Sequence, residues 1–244
     1  WSAAHSATLS SALRVLWGTL LARFVNKEAV TFGTIVSGRP AELSGIQEAV
    51  GLFINTLPAR FQLDATMTAS AALKLQRDQA NSDRAHDYLP LAEIQKAADS
   101  DALFDHLLVL ENYPMDESLR GAGAEQSVAA AAQPRLSKIG AFERTDYPLS
   151  VVAVPKDGLE LSFLFDRRVY SDAFMQQVAE HLEVLARAMV AAPDAPLSKI
   201  DLLTEEQRDW LQGEWNATQA NYPSEATLIS LVDEQCQRRG EAQA

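Results

Sequence analysis

The side chains able to exchange protons near neutral pH are few: His5, His86, His106, His181 and the single thiol of Cys236. Nucleophilic catalysis needs a base within hydrogen-bond reach of its nucleophile, and no histidine here stands in a recognisable acid/base motif. His86-Asp87 pairs an imidazole with a carboxylate that can orient it. Its setting reads first as a solvated turn between two helices. His5 is expected at the surface, His181 on a helix surface, and His106 in a packing or hydrogen-bonding role before a buried strand. Glu205-Glu206 is a pair of carboxylates, but at a helix start, where the helix dipole favours acid. Gly121-Ala-Gly123 lacks the lysine and flanking strand of a phosphate loop. One cysteine excludes a disulfide framework and a cysteine-based zinc site, and no metal-ligand spacing occurs. The residues alone give no complete active site.

The charge balance narrows the partners. A net charge of −12 repels phosphate backbones, and Arg167-Arg168 and Arg238-Arg239 are isolated basic pairs. No nucleic acid is expected. No apolar run is long enough to cross a bilayer, so no membrane is expected either. From Ala192 onward ten acidic residues face four basic ones, which marks the last fifth as a more solvated, separate segment. A start at Trp1, without a leader, suggests a piece of a longer chain.

Elements able to position these residues follow from periodicity. Leu9, Leu13, Leu16, Trp17, Leu20, Leu21 and Phe24 form one helical face, capped by Thr8 or Ser10. Val30 to Val36 reads as a strand ended by Ser37-Gly38-Arg39-Pro40, and Leu52 to Leu63 as a second, awkward at Pro58. Thr68 to Ala80 and Leu91 to Ala98 are helical. Leu107 to Leu110 suits a strand buried on both faces, and 116–135 a long loop. Leu149 to Val154 and Leu159 to Phe165 make a hairpin about Pro155-Lys156-Asp157-Gly158. Ser171 caps a helix with Phe174, Val178, Leu182, Leu185 and Met189 inward. Pro193 to Leu203 is an extended linker, and Thr204 with Gln207 is a capping box. Leu228, Leu231 and Val232 line a last helix. Mixed strands and helices with a late hairpin define an α/β layered domain.

One segment carries more than periodicity. Gly51-Leu52-Phe53-Ile54-Asn55-Thr56-Leu57-Pro58-Ala59-Arg60 resembles the fifth core motif of nonribosomal peptide synthetase condensation domains. Phe32-Gly33-Thr34-Ile35-Val36-Ser37-Gly38-Arg39-Pro40 is similar to the strand and Gly-Arg-Pro turn preceding it. His86-Asp87-Tyr88-Leu89-Pro90-Leu91 resembles the sixth motif, His-Gln-Asp-Tyr-Pro-Phe, with one residue missing. Phe104-Asp105-His106 through Glu111-Asn112-Tyr113-Pro114 and then Tyr147-Pro148-Leu149 continue the pattern in order. Leu197 to Thr204 and Trp215-Asn216-Ala217-Thr218 look like the linker to an adenylation domain, and Tyr222-Pro223 through Gln235 like that domain's first helix.

The resemblance implies a C-terminal half of a V-shaped, chloramphenicol acetyltransferase-like pseudodimer, with a mixed sheet flanked by helices. It implies a condensation subdomain over 1–192, a linker over 193–222 and an adenylation stub over 223–244. The family joins carrier-bound thioesters by attack of an acceptor amine. Its catalytic His-His-x-x-x-Asp-Gly motif does not occur in this sequence, so no catalytic residue is assigned here. Implied partners are the N-terminal subdomain, the adenylation domain and peptidyl carrier proteins, in the cytoplasm. No cofactor is bound directly; the carriers bring phosphopantetheine arms. Asn55 and Thr56 would face the substrate tunnel, or satisfy backbone groups at a strand irregularity. Arg39 and Arg60 would contact phosphopantetheine, or serve in salt bridges. The missing glutamine leaves the roles of His86 and Asp87 open. Gly33, Gly38 and Gly51 are read as backbone-geometry positions. The competing readings are a docking module between condensation and adenylation domains and, against the missing histidine, a free-standing acyltransferase.

Overall fold

In the computed structural model, which describes residues 1–39, 43–46, 48–111, 145–155, 158–221 and 224–240, the expected helix starts are satisfied by side-chain caps. The Thr8 hydroxyl accepts from the Ser11 N–H at 3.1 Å and starts α1, Leu9–Val25. Thr68 caps α2, Ala69–Asp83, and Ser171 caps α4, Asp172–Ala191. Each cap satisfies an otherwise orphaned N–H and contributes about 1 kcal/mol. Between α2 and α4 lies the short α3, Leu91–Ala97, entered at Pro90. The 116–135 loop, the Gly121–Gly123 segment, Asn112-Tyr113-Pro114, Pro40, Lys156-Asp157 of the hairpin turn and Tyr222-Pro223 lie outside the described residues.

Five strands form one sheet in the order β2-β1-β3-β4-β5. They are β1 Ala29–Val36, β2 Asn55–Gln62, β3 His106–Leu110, β4 Leu149–Pro155 and β5 Leu159–Phe165. The outer pairs β1–β2 and β4–β5 are antiparallel, while β1–β3 and β3–β4 are parallel. The architecture is therefore α/β, a mixed sheet flanked by helices. Pro58 sits opposite Gly33. It is tolerated because β2 is an edge strand, where a missing N–H need not break a central ladder.

Helix α1 packs on β1, β2 and β3 and also against α2 and α4. It is buried almost all round, not along one face as the periodicity suggests. Ser11, Arg14 and Thr19 are enclosed with Leu13, Val15, Leu16, Trp17 and Leu20. A Cβ on Gly18 would come within 2.3 Å of the Phe61 side chain, so only glycine permits this approach of helix to strand. In α4 the inward stripe is Met175, Val178, Leu182, Leu185 and Met189, with His181 beside it. Phe174, expected inside, is 41% exposed and stacks on Tyr170. The 3-4-3-4 spacing of the buried set leaves residue 174 one position off the stripe.

The stretch read as an extended linker after Pro193 instead turns through a 3-10 helix, Leu197–Lys199, and is packed. Leu197, Ile200 and Leu202 belong to the core of the unit Trp1–Leu202. The Ser70 N–H donates to the Pro193 carbonyl and the Leu197 N–H to Met67, while the Arg23 guanidinium donates to the carbonyls of Leu197 and Ile200. The second unit, Leu203–Ala244, contains α5, Glu205–Gln212, with the expected Thr204–Gln207 capping box. It also contains α6, Leu228–Arg238, boxed by Thr227 and Ser230. Neither helix buries a residue. Trp210 and Trp215 pack on each other with ring centroids 4.9 Å apart.

Candidate functional site

Asn55 opens β2, and its amide is committed to backbone. Its Nδ2 donates to the carbonyls of both Asp87 and Leu89 at 2.8 Å, while its Oδ1 accepts from the Thr56 N–H at 2.9 Å. The fifth-motif asparagine thereby holds the sixth-motif segment His86–Leu89 against the sheet. Thr56, half-buried, lies opposite Ile35. Arg39 follows Gly38, whose φ of +62° and close approach to the Phe53 carbonyl exclude a side chain. The Arg39 guanidinium donates to the carbonyls of Ile46 and Ala49 and lies over the Phe53 ring, 4.4 Å from its centroid. It organises the segment leading into β2. Arg60 is exposed on β2, and its carbonyl accepts from Gln76.

These elements border a cavity of about 920 Å³ in the first unit. Strands β1 and β2 supply Thr34, Val36 and Leu57. The start of α1 supplies Thr8, Ser10 and Arg14, and the end of α2 supplies Asp83 and Arg84; His86, Asp87 and Arg60 also reach it. Sequence reasoning brought His86, Asp87 and Arg60 into view but not Arg14. Arg39, Asn55 and Thr56 lie off the lining; Asn55 shapes it by holding Asp87.

Arg14 is the unusual member. It is only 9% exposed, and its buried Nε has no hydrogen-bond partner among the described residues. Burial pushes its pKa down, opposed by attraction to Asp83 and Asp87. Burial likewise raises the Asp87 carboxyl, against the attraction of Arg84 and Arg14.

The histidines divide as their surroundings dictate. His106 is buried in β3 between two partners: the Trp17 Nε1–H donates to its Nε2 at 3.0 Å, and Asp105 Oδ1 lies 2.6 Å from its Nδ1. An indole N–H can only donate, so the proton sits on Nδ1 and is given to the carboxylate. Both ring nitrogens are engaged, Nε2 tying α1 to β3 and Nδ1 held by the adjacent Asp105, the hydrogen-bonding role expected of it. His86 is exposed in a short 3-10 turn, Arg84–His86, between α2 and α3. His181 is buried edge-on to Phe24, rather than on a helix surface. His5, expected at the surface, is half-buried against Trp1, whose carbonyl lies 2.9 Å from its Nδ1. No group of three or more potential metal ligands occurs among the described residues. No helix among them is long and apolar enough to cross a membrane.

The mixed sheet and the brace between two motifs define a class, and sequence comparison agrees: residues 1–212 match the Condensation domain family, to which this chain belongs. It is 35% identical over 241 residues to bacitracin synthase 3 of Bacillus licheniformis, covering 98% of this chain and 4% of that protein. It is 33% identical over 204 residues to surfactin synthase subunit 3 of Bacillus subtilis (strain 168), covering 84% and 16%. The chain thus spans a small part of the synthetases it matches. A solved four-domain nonribosomal peptide synthetase bound to AMP and glycine superposes with a TM-score of 0.75 at 19% identity, covering 100% of this chain and 19% of that one. The first condensation domain of the CDA synthetase gives 0.63 at 15% identity, covering 83% and 44%. These structures share the fold.

Proposed function

We propose that this chain is the acceptor-side, C-terminal half of a nonribosomal peptide synthetase condensation domain. It would act in amide-bond formation between thioesters held on the phosphopantetheine arms of carrier proteins. Residues 1–192 form the subdomain, 193–222 the linker, and 223–244 the start of an adenylation domain. The observation that carries this reading is the Asn55 brace, in which two motifs 32 and 34 residues apart meet through one amide. Coverage of 44% of a condensation-domain chain supports a half-domain. Exposed Val50, just before the fifth motif, and Leu52 and Ile54 within it supply an apolar face for the N-terminal subdomain.

In the reaction the acceptor amine forms a C–N bond to the donor thioester carbonyl, and the C–S bond breaks with release of the carrier thiol. The histidine half would handle the proton. This half would shape the acceptor side, with Asn55 and Thr56 acting on the tunnel through the segment they hold. Arg60, exposed at the cavity, is the better placed of the two arginines to meet a phosphopantetheine arm. The test is reconstitution: the chain is mixed with an N-terminal condensation subdomain and two loaded carrier proteins, and dipeptide is measured. Product only when both halves are present supports the reading. Product from this chain alone, or none from halves that associate, overturns it.

A second reading rests on α6, where Leu228, Ile229, Leu231 and Val232 are all exposed. It makes 204–244 a docking segment for an adenylation core. Loss of binding to such a core on deleting 204–244 supports it, and unchanged binding refutes it.

A further inference from the structure

A buried guanidinium without a hydrogen-bond partner is an expensive feature, because burial removes its water without replacing those contacts. The Arg14 side chain is in this position at its Nε: the residue is 9% exposed and its enclosed Nε has no hydrogen-bond partner among the described residues, while Asp83 and Asp87 attract its charge. It also lines the cavity of about 920 Å³. That volume lies in the range of pockets that enclose organic molecules, about 300–1,000 Å³. The chain carries a net charge of −12, yet Arg60 and Arg84 join Arg14 in this lining. Arg77 lies there too, but it pairs with Asp78 at 2.9 Å. Thr8 and Ser10, at the first turn of the 17-residue α1, place the positive end of a helix dipole at the same wall.

We infer that the cavity is a binding site for an amphipathic organic monocarboxylate, with Arg14 as the group that receives the carboxylate. Guanidinium donors match the two carboxylate oxygens in a fork. A monoanion suits the site better than a phosphate dianion, because Asp83 and Asp87 flank the same wall and repel added negative charge. Leu9, Ile35, Val36, Leu57 and Leu110 give the remainder of the lining an apolar character that suits a hydrocarbon body. The inference concerns binding to this chain by itself and stands apart from the half-domain proposal.

Isothermal titration of the full chain tests it with three probes: octanoate below its micellar concentration, octanamide and inorganic phosphate. Saturable octanoate binding is expected, with octanamide and phosphate at least tenfold weaker. Arg14→Gln should weaken octanoate at least tenfold and leave octanamide within twofold. Arg14→Lys, keeping charge without the fork, should fall between them. Equal binding of octanoate and octanamide, tighter binding of phosphate, or absence of octanoate binding overturns the inference. The octanoate-to-octanamide ratio on the unaltered chain decides it even if Arg14→Gln does not fold.

Discussion

One side chain in the cavity lining, Arg14, and one behind it, Asn55, are treated in opposite ways. On the β2 side, Asn55 uses both amide hydrogens and its oxygen on backbone, joining segments distant in sequence. On the α1 side, the buried Nε of Arg14 has no hydrogen-bond partner among the described residues. The first arrangement is what a fold needs: polar groups taken out of water are matched. The second is what a binding site needs, with donors held ready and a standing loss of stability. The contrast teaches that stability and ligand recognition are assigned to different side chains, and it yields predictions of opposite sign.

The largest effect is expected at the brace. Asn55→Ala leaves the Asp87 and Leu89 carbonyls unmatched and should destabilise the first unit by about 2 kcal/mol. For a unit near 200 residues that corresponds to a fall in Tm of roughly 4–8 °C, measured by thermal unfolding. Asn55→Asp should be worse, since a carboxylate facing two carbonyls has nothing to donate. Next comes Arg39→Lys, which keeps the charge but loses the fork to Ile46 and Ala49. It should cost about 1 kcal/mol and speed proteolysis between 43 and 53.

At Arg14 the sign reverses: Arg14→Met removes a buried charge and should raise stability by about 1 kcal/mol. The smallest effect is expected at Asp87. Its carboxyl titrates above the ordinary range because burial outweighs the attraction of Arg84 and Arg14. The folded chain therefore binds this proton more tightly than the unfolded chain. The resulting stability is present below the unfolded pKa and is lost as pH rises through the folded one. Asp87→Asn should flatten this part of the stability profile from the normal carboxylate range upward, as read by denaturant titration at several pH values.

Much of this was legible in the sequence, and the exceptions have physical causes. Caps at Thr8, Thr68, Ser171 and Thr204 are local signals, so helix starts could be read directly. Asn55 was identifiable, but its partners lie 32 and 34 residues on, and no local pattern encodes that meeting. Arg14 falls outside the apolar face read for its helix and drew no attention there. A signal was present: from Ala12 to Ala22 it is the only charged residue, as befits a helix enclosed on all sides. The packing of Leu197, Ile200 and Leu202 was missed because a Pro-flanked polar stretch resembles a free linker until its tertiary contacts are known.

The division of labour between Asn55 and Arg14 is tested most directly by thermal unfolding of the unaltered chain, Asn55→Ala and Arg14→Met, each with and without octanoate. A ligand that binds only the folded state raises Tm. The account predicts that Arg14→Met is the most stable without octanoate and gains nothing from it, while the unaltered chain gains. Arg14→Met melting below the unaltered chain, or responding equally to octanoate, would contradict it.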